Sequence, residues 1–333
     1  MGGNLFKVGR VPKEEYFDIL ATLRPVLDRH FGKHYRIPVA YRNKETYGDV
    51  DIILDSTVIS NQPDWFDELC GDLGVDETHR VRKVYSMLYR NFQTDIFLLF
   101  DSNKVETCYN FMSYNILGNL IGRIYHKFNL RYGQDGLYYV LRGFNNHISK
   151  EIIVSRDMKD MLTFAGLSFE RWEQGFDNVE EIFDYVIGSK YFCSNSYDPK
   201  YFNVQKRATE RPDFNKFLDY LEEKKIEKNY PFDKNKDIYI EEIDTFFRTD
   251  IRSKYDAHVE QQIKLENASK KFNGKIVMNL LPKLSGKELG SFIGDYKGSY
   301  GDDFIDVVLK RTEEEIKQDV KYYYQYFYEK FRI

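Results

Sequence analysis

Residues 47–54 read Tyr47-Gly48-Asp49-Val50-Asp51-Ile52-Ile53-Leu54, with Asp55 and Ser56 following. A β-strand sends successive side chains to opposite faces, so Asp49 and Asp51 share one face and Val50, Ile52 and Leu54 the other. Two carboxylates side by side repel each other unless cations sit between them. A third acid, Asp95, stands in FQTDIFLLF (92–100), isolated among apolar residues of a second expected strand. A buried, unpaired carboxylate is expensive, and a metal is its simplest partner. Three such carboxylates suit a pair of divalent ions roughly 3.5–4 Å apart. Mg2+, with Mn2+ as a substitute, is the expected cation: it keeps waters, takes one or two carboxylates and shares oxygens with phosphates.

Working outward, PKEEYFDILATLRPVLDRHF (12–31) has the apolar spacing of an amphipathic helix. YRIPVAYR (35–42) reads as a short strand, PDWFDELCGDLG (63–74) as a helix ending at Gly74, and residues 80–102 as a hairpin turning near Asn91. Residues 109–129 read as one helix, with Tyr114, Leu117, Ile121, Ile124 and Phe128 on an apolar stripe. Asn115, Asn119, Arg123 and Lys127 form its polar stripe, and Gly118 and Gly122 point to close approach of a backbone or ligand. LRYGQDGLYYVLR (130–142) reads as a hairpin, and beyond residue 150 helical patterns dominate up to a Tyr-rich tail. The expected class is α+β: a small mixed-sheet unit followed by a mainly helical half, with domains at 1–150, 151–265 and 266–333.

The whole chain narrows the classes of function. It has 333 residues and a formal net charge of -4, which excludes a strongly basic nucleic-acid-coating protein. No apolar run approaches the ~20 residues of a membrane span, so no membrane partner is expected. Cys70, Cys108 and Cys193 are odd in number and far apart, which argues against a disulfide framework and for a reducing, cytoplasmic setting. His30 and His34 have metal-pair spacing, but no third ligand accompanies them.

The run Gly48-Asp49-Val50-Asp51, with a later strand carrying Asp95, resembles the DNA polymerase β-type nucleotidyltransferase superfamily over roughly residues 35–130. The resemblance implies a small catalytic palm in which Asp49, Asp51 and Asp95 hold two Mg2+ ions. The implied reaction moves a nucleoside monophosphate from a nucleoside triphosphate to an acceptor and releases pyrophosphate. Members carry a Gly-Ser or Gly-Gly pair ahead of the Asp pair; here the preceding segment ends in Tyr41 and Arg42. The triphosphate cradle is therefore altered, and Tyr41, Arg42, Lys44 and Gly48 become its candidates. By the same resemblance Asn115, Asn119 and Arg123 fall on the expected nucleotide-binding helix.

Residues 191–223 and 274–310, LSGKELGSFIG (284–294) in particular, resemble helical regions of CCA-adding tRNA nucleotidyltransferases. That favours an RNA 3′ end, such as a tRNA's, as acceptor. Lys206, Arg207 and Arg211, and separately Lys271, lie among Phe202, Phe214 and Phe272, a pattern that contacts phosphates and stacks on bases. Two further readings stand beside this one. The acceptor could be a protein or small-molecule hydroxyl, as in nucleotidylating toxins, or the chain could be a nucleic-acid-binding module with a degenerate palm. Oligomeric state is left open.

Overall fold

A computed structural model describes residues 5–330. The chain opens with β1 (Val11–Pro12) and α1 (Lys13–Phe31), then β2 (Tyr35–Arg36), β3 (Thr46–Tyr47) and β4 (Asp49–Asp55). α2 (Trp65–Leu73) leads to β5 (Thr78–Val81), β6 (Val84–Tyr89) and β7 (Phe92–Leu99). These strands form a five-stranded sheet in the order β2-β4-β7-β6-β5, while β1 and β3 pair separately. β4 and β7 run parallel, and their register sets Asp51 opposite Asp95 and Asp49 opposite Gln93. The other pairings in this sheet are antiparallel.

The two faces of β4 have different neighbours. Val50, Ile52 and Leu54 join Ile19, Leu20, Leu23, Leu27 and Phe31 of α1 and Leu69 of α2 in one core cluster. Each such leucine or isoleucine stabilises the fold by ~1.5–3 kcal/mol relative to exposure. α1 starts after Pro12, carries Glu14 and Glu15 in its first turn and stops at Gly32, whose φ is +55°. α2 stops where expected: Gly74 is left-handed and its N–H returns to the carbonyls of Cys70 and Gly71.

Two expectations change in detail. YRIPVAYR contributes only Tyr35 and Arg36 to the sheet. Pro38 has no N–H to donate to a ladder, and the chain leaves the sheet around it. The stretch 80–91 is two strands rather than one, because Arg82 adopts a φ of +55° and turns β5 into β6. The β6–β7 turn falls at Arg90 and Asn91, both left-handed, as a two-residue hairpin turn requires.

The largest change is in 109–129. Instead of one helix there are two, α3 (Val105–Met112) and α4 (Leu117–Lys127). Between them Tyr114 and Asn115 both have positive φ, 57° and 55°. Such a conformation costs a tyrosine ~1–2 kcal/mol, and tertiary contacts supply it. The Tyr114 N–H donates to Val39 O at 2.7 Å, and the Val39 N–H donates to Ser113 Oγ at 3.3 Å. The Tyr114 ring is packed edge-on against Trp172 and Phe176.

Gly118 lies where α4 meets α3: a Cβ there would come within 2.7 Å of Phe111 O, whereas one at Gly122 would meet nothing within 4 Å. Gly118→Ala is therefore expected to destabilise by ~1–3 kcal/mol through overpacking. Gly122→Ala should stabilise by up to ~1 kcal/mol through helix propensity. Urea unfolding of the two variants checks this, and equal effects would contradict the packing assigned to the α3–α4 junction.

After α4 come β8 (Leu130–Gly133), β9 (Gly136–Arg142) and β10 (Ile148–Ser155), a three-stranded sheet. The rest is helical: α5 (Met158–Phe164), α6 (Phe169–Gln174), α7 (Val179–Gly188), α8 (Phe202–Glu210), α9 (Pro212–Glu223), α10 (Ile240–Phe247), α11 (Ile251–Lys271), α12 (Gly274–Leu280), α13 (Gly286–Gly298), α14 (Phe304–Lys310) and α15 (Glu313–Lys330). The molecule is thus mixed α/β with a mainly helical C-terminal half. Among the described residues no helix is long and apolar enough to cross a membrane.

Two compact units divide the chain at other places than residues 150 and 265. One holds residues 1–140 with 151–249, and the other holds 141–150 with 250–333. The helices α5–α10 fall in the first unit, where Phe128 at the end of α4 packs its ring against Phe164, Tyr191 and Phe232. The second unit has its own core of Phe272, Val277, Phe292, Tyr296, Phe304 and Val320. Within it Asp319 accepts from the hydroxyls of Tyr296 and Tyr300 and from Arg311.

Candidate metal centre

The parallel register of β4 and β7 brings Asp49, Asp51 and Asp95 together on the sheet face away from α1. One carboxylate oxygen of each lies within 4.8 Å of the others. Among the described residues none of the three forms an ion pair with a lysine or arginine. Asp95 is only 8% exposed. Its Oδ2 accepts from Gln93 Nε2 at 2.8 Å, and its Oδ1 is buried with no hydrogen-bond partner among the described residues.

The electrostatics follow from burial and crowding. Desolvation first, and then the charge of Asp95, raises the Asp49 carboxyl above the usual range. Asp51 is pushed well above it by burial and by Asp49 and Asp95. Left alone, Asp49 and Asp51 favour the neutral acid form. A hard cation reverses that preference. The donor set fits one: three carboxylates with no thiol or imidazole suit Mg2+ or Mn2+ rather than a softer metal, and Asp95 Oδ1 is an acceptor awaiting a partner.

The three acids form part of the wall of a cleft of about 1160 Å3, ample for a nucleotide-sized ligand. Tyr41, Lys44, Gly48, Asn115, Asn119 and Arg211 line it as well. Lys44 donates to Asn115 Oδ1 at 3.2 Å, and its ammonium lies 4.5 Å from the centre of the Tyr47 ring. Burial first, and then Arg10, lowers its pKa. Asn115 does not ride on α4; its left-handed backbone turns it toward Asp213, 3.4 Å from its Nδ2.

The other expected site residues lie elsewhere. Arg42 is not in the cleft wall: its guanidinium pairs with Asp177 and donates to Gln174 O. Arg123 donates to Ser196 O at 2.9 Å and to Asn203 O, and sits over the Phe214 ring, fastening α4 to the segments near α8 and α9. Lys206 and Arg207 are exposed and pair with Glu210. Lys271 belongs to the second unit, where it donates to the carbonyls of Leu309 and Arg311 at the end of α14. His30 pairs with Asp72 rather than with His34.

Among the wall residues that sequence reasoning missed are Arg10, Gln93, Asp213 and Lys216. Gln93 was within reach, since it stands two residues before Asp95 and alternation puts both on one face. The others come from a segment ahead of α1 and from α9, which only the tertiary fold brings to the cleft. Comparison of the chain with protein-family models finds no match, and comparison with curated proteins finds none.

Proposed function

We propose that this chain is a nucleotidyltransferase of the DNA polymerase β-type, dependent on a divalent cation. The observation that carries the reading is the convergence of Asp49, Asp51 and Asp95 on one cleft wall, with a buried carboxylate oxygen left without a partner. These three side chains would hold Mg2+, with Mn2+ able to replace it. Bound there, the cations polarise phosphoryl oxygens and screen the charge of a triphosphate.

The chain's own residues do the rest. Lys44, held between Asn115 and Tyr47, is the cation of the wall best placed to meet a phosphate, and it takes the place of the missing Gly-Ser pair. Asn115 and Asn119 offer amides to sugar or base. Phe97 and Phe111 give the wall apolar surface. The acceptor oxygen bonds to the α-phosphorus, the bond to the pyrophosphate oxygen breaks, and the hydroxyl proton is lost to water.

Lys44→Met is expected to raise KM for the triphosphate ~10–100-fold with a much smaller change in kcat, because charge-assisted contacts are worth ~1.5–3 kcal/mol. Steady-state kinetics check this; an unchanged KM removes Lys44 from the phosphate site.

An RNA 3′ hydroxyl as acceptor rests on Arg211 in the cleft wall and on the resemblance of the helical half. A protein or small-molecule hydroxyl is favoured by a different observation. Lys206, Arg207 and Lys271 are engaged with other groups, while Glu45, Glu180, Glu210 and Asp213 all line the cleft. Incubation with Mg2+ and each α-labelled nucleoside triphosphate, offered bulk RNA, protein and a small-molecule extract, separates the two. Label on RNA supports the first, and label on protein or small molecules the second. No transfer and no pyrophosphate release with any of them leaves only a binding module.

A further inference from the structure

Gln93 stands on the same face of β7 as Asp95 and opposite Asp49 in the register, and it is 6% exposed. Its side chain makes two hydrogen bonds of opposite sense. Oε1 accepts from the backbone N–H of Leu5 at 3.1 Å, and Nε2 donates to Asp95 Oδ2 at 2.8 Å. A backbone N–H can only donate, so it fixes which end of the amide faces Leu5. The NH2 group must then face Asp95. The donor is neutral, so unlike an arginine it orients the carboxylate without cancelling its charge. It occupies Oδ2 and leaves the buried Oδ1 without a partner.

We propose that Gln93 is the positioning residue of the metal centre, and that the backbone of Leu5 locks its amide so that Asp95 Oδ1 is the oxygen available to a cation. This rests on the metal-centre part of the reading above. It adds that the segment ahead of α1 takes part in setting the centre's geometry. That segment is already at the site, since Val8, Gly9 and Arg10 line the same cleft. Arg10 is held there by Thr46, through its Oγ1 at 2.9 Å and its carbonyl at 2.6 Å.

The test is Mn2+ binding to the full chain, followed by electron paramagnetic resonance of the free ion, without nucleotide. Gln93→Met keeps the volume and removes both hydrogen bonds. Leu5→Pro removes the N–H that orients the amide and leaves the Gln93 side chain in place. Outer-shell partners of ligands typically contribute 10–100-fold to metal affinity, and Gln93→Met is expected to weaken Mn2+ binding by that factor. Leu5→Pro should weaken it by less, because the freed amide keeps its NH2 and still donates to Asp95 in one of its two orientations. A Gln93 side chain that merely fills space would lower the melting temperature and leave Mn2+ affinity unchanged.

Affinity within twofold of wild type in Gln93→Met overturns the positioning role and leaves the metal centre standing. Wild-type protein that takes up no Mn2+ overturns the centre itself. If Gln93→Met does not fold, Leu5→Pro decides by the same criterion.

Discussion

Asp95→Asn is expected to abolish nucleotidyl transfer and, at the same time, to raise the melting temperature of the metal-free protein. The two effects have one cause. Asp95 lies buried beside Asp49 and Asp51, with one oxygen unpartnered. Without a cation that charge is a burden on the fold. The amide isostere keeps the shape, accepts the Gln93 hydrogen bond and carries no charge. A gain of ~1 kcal/mol corresponds to about 2–4 °C for a unit of this size. For function the same change removes a ligand and points an NH2 group where a cation would sit. A loss of at least ~10³-fold in turnover, ~4 kcal/mol of barrier, is expected. Calorimetry and a pyrophosphate-release assay on one preparation read both quantities. Wild-type turnover would remove Asp95 from the site. Lost activity with a lowered melting temperature would make Asp95 a structural acid.

The second large effect is the pH dependence of stability. Burial and the neighbouring acids raise Asp51 well above the usual carboxylate range, and burial and Asp95 raise Asp49. In the unfolded chain both titrate near the ordinary value of about 3.9. Below that value both states are protonated and these groups contribute no difference. Between it and the raised folded values the native state binds more protons than the unfolded one, so stability falls as pH rises. Above the folded values the loss is complete and constant. Metal-free protein should therefore lose stability upward through this window, and Asp51→Asn should remove most of that slope. Mg2+ favours the ionised forms, so its stabilising effect should grow with pH as binding releases protons. Melting temperatures across pH, with and without Mg2+, test this. Identical metal-free profiles for wild type and Asp51→Asn would contradict it.

Why the site was legible while much around it was not comes down to the range of the interactions. Asp49 and Asp51 announce their shared face through strand alternation, a local rule, and the apolar neighbours of Asp95 mark a buried strand. That β4 and β7 are parallel neighbours in register is not written in either segment; the β5–β6 hairpin and α2 between them set it. The α3–α4 break shows the opposite case. The apolar periodicity of 109–129 runs through Tyr114 and Asn115 without a signal, because contacts from Val39, Trp172 and Phe176 impose the left-handed pair. Arg42 stands where the resemblance expects the triphosphate cradle, and Arg123 on its expected nucleotide-binding helix. Charge does not reveal that Asp177, in one case, and the carbonyls of Ser196 and Asn203, in the other, reach them first. The unit boundary at 249–250 was equally hidden, since the rings packed on Phe128 come from residues distant in sequence.

Anomalous scattering from crystals grown with Mn2+ and a nonhydrolysable nucleoside triphosphate probes the central claim most directly. The account predicts manganese density between the carboxylates of Asp49, Asp51 and Asp95, with the triphosphate reaching toward Lys44. Manganese bound elsewhere, or a nucleotide seated in the cleft with no metal among the three acids, would contradict it.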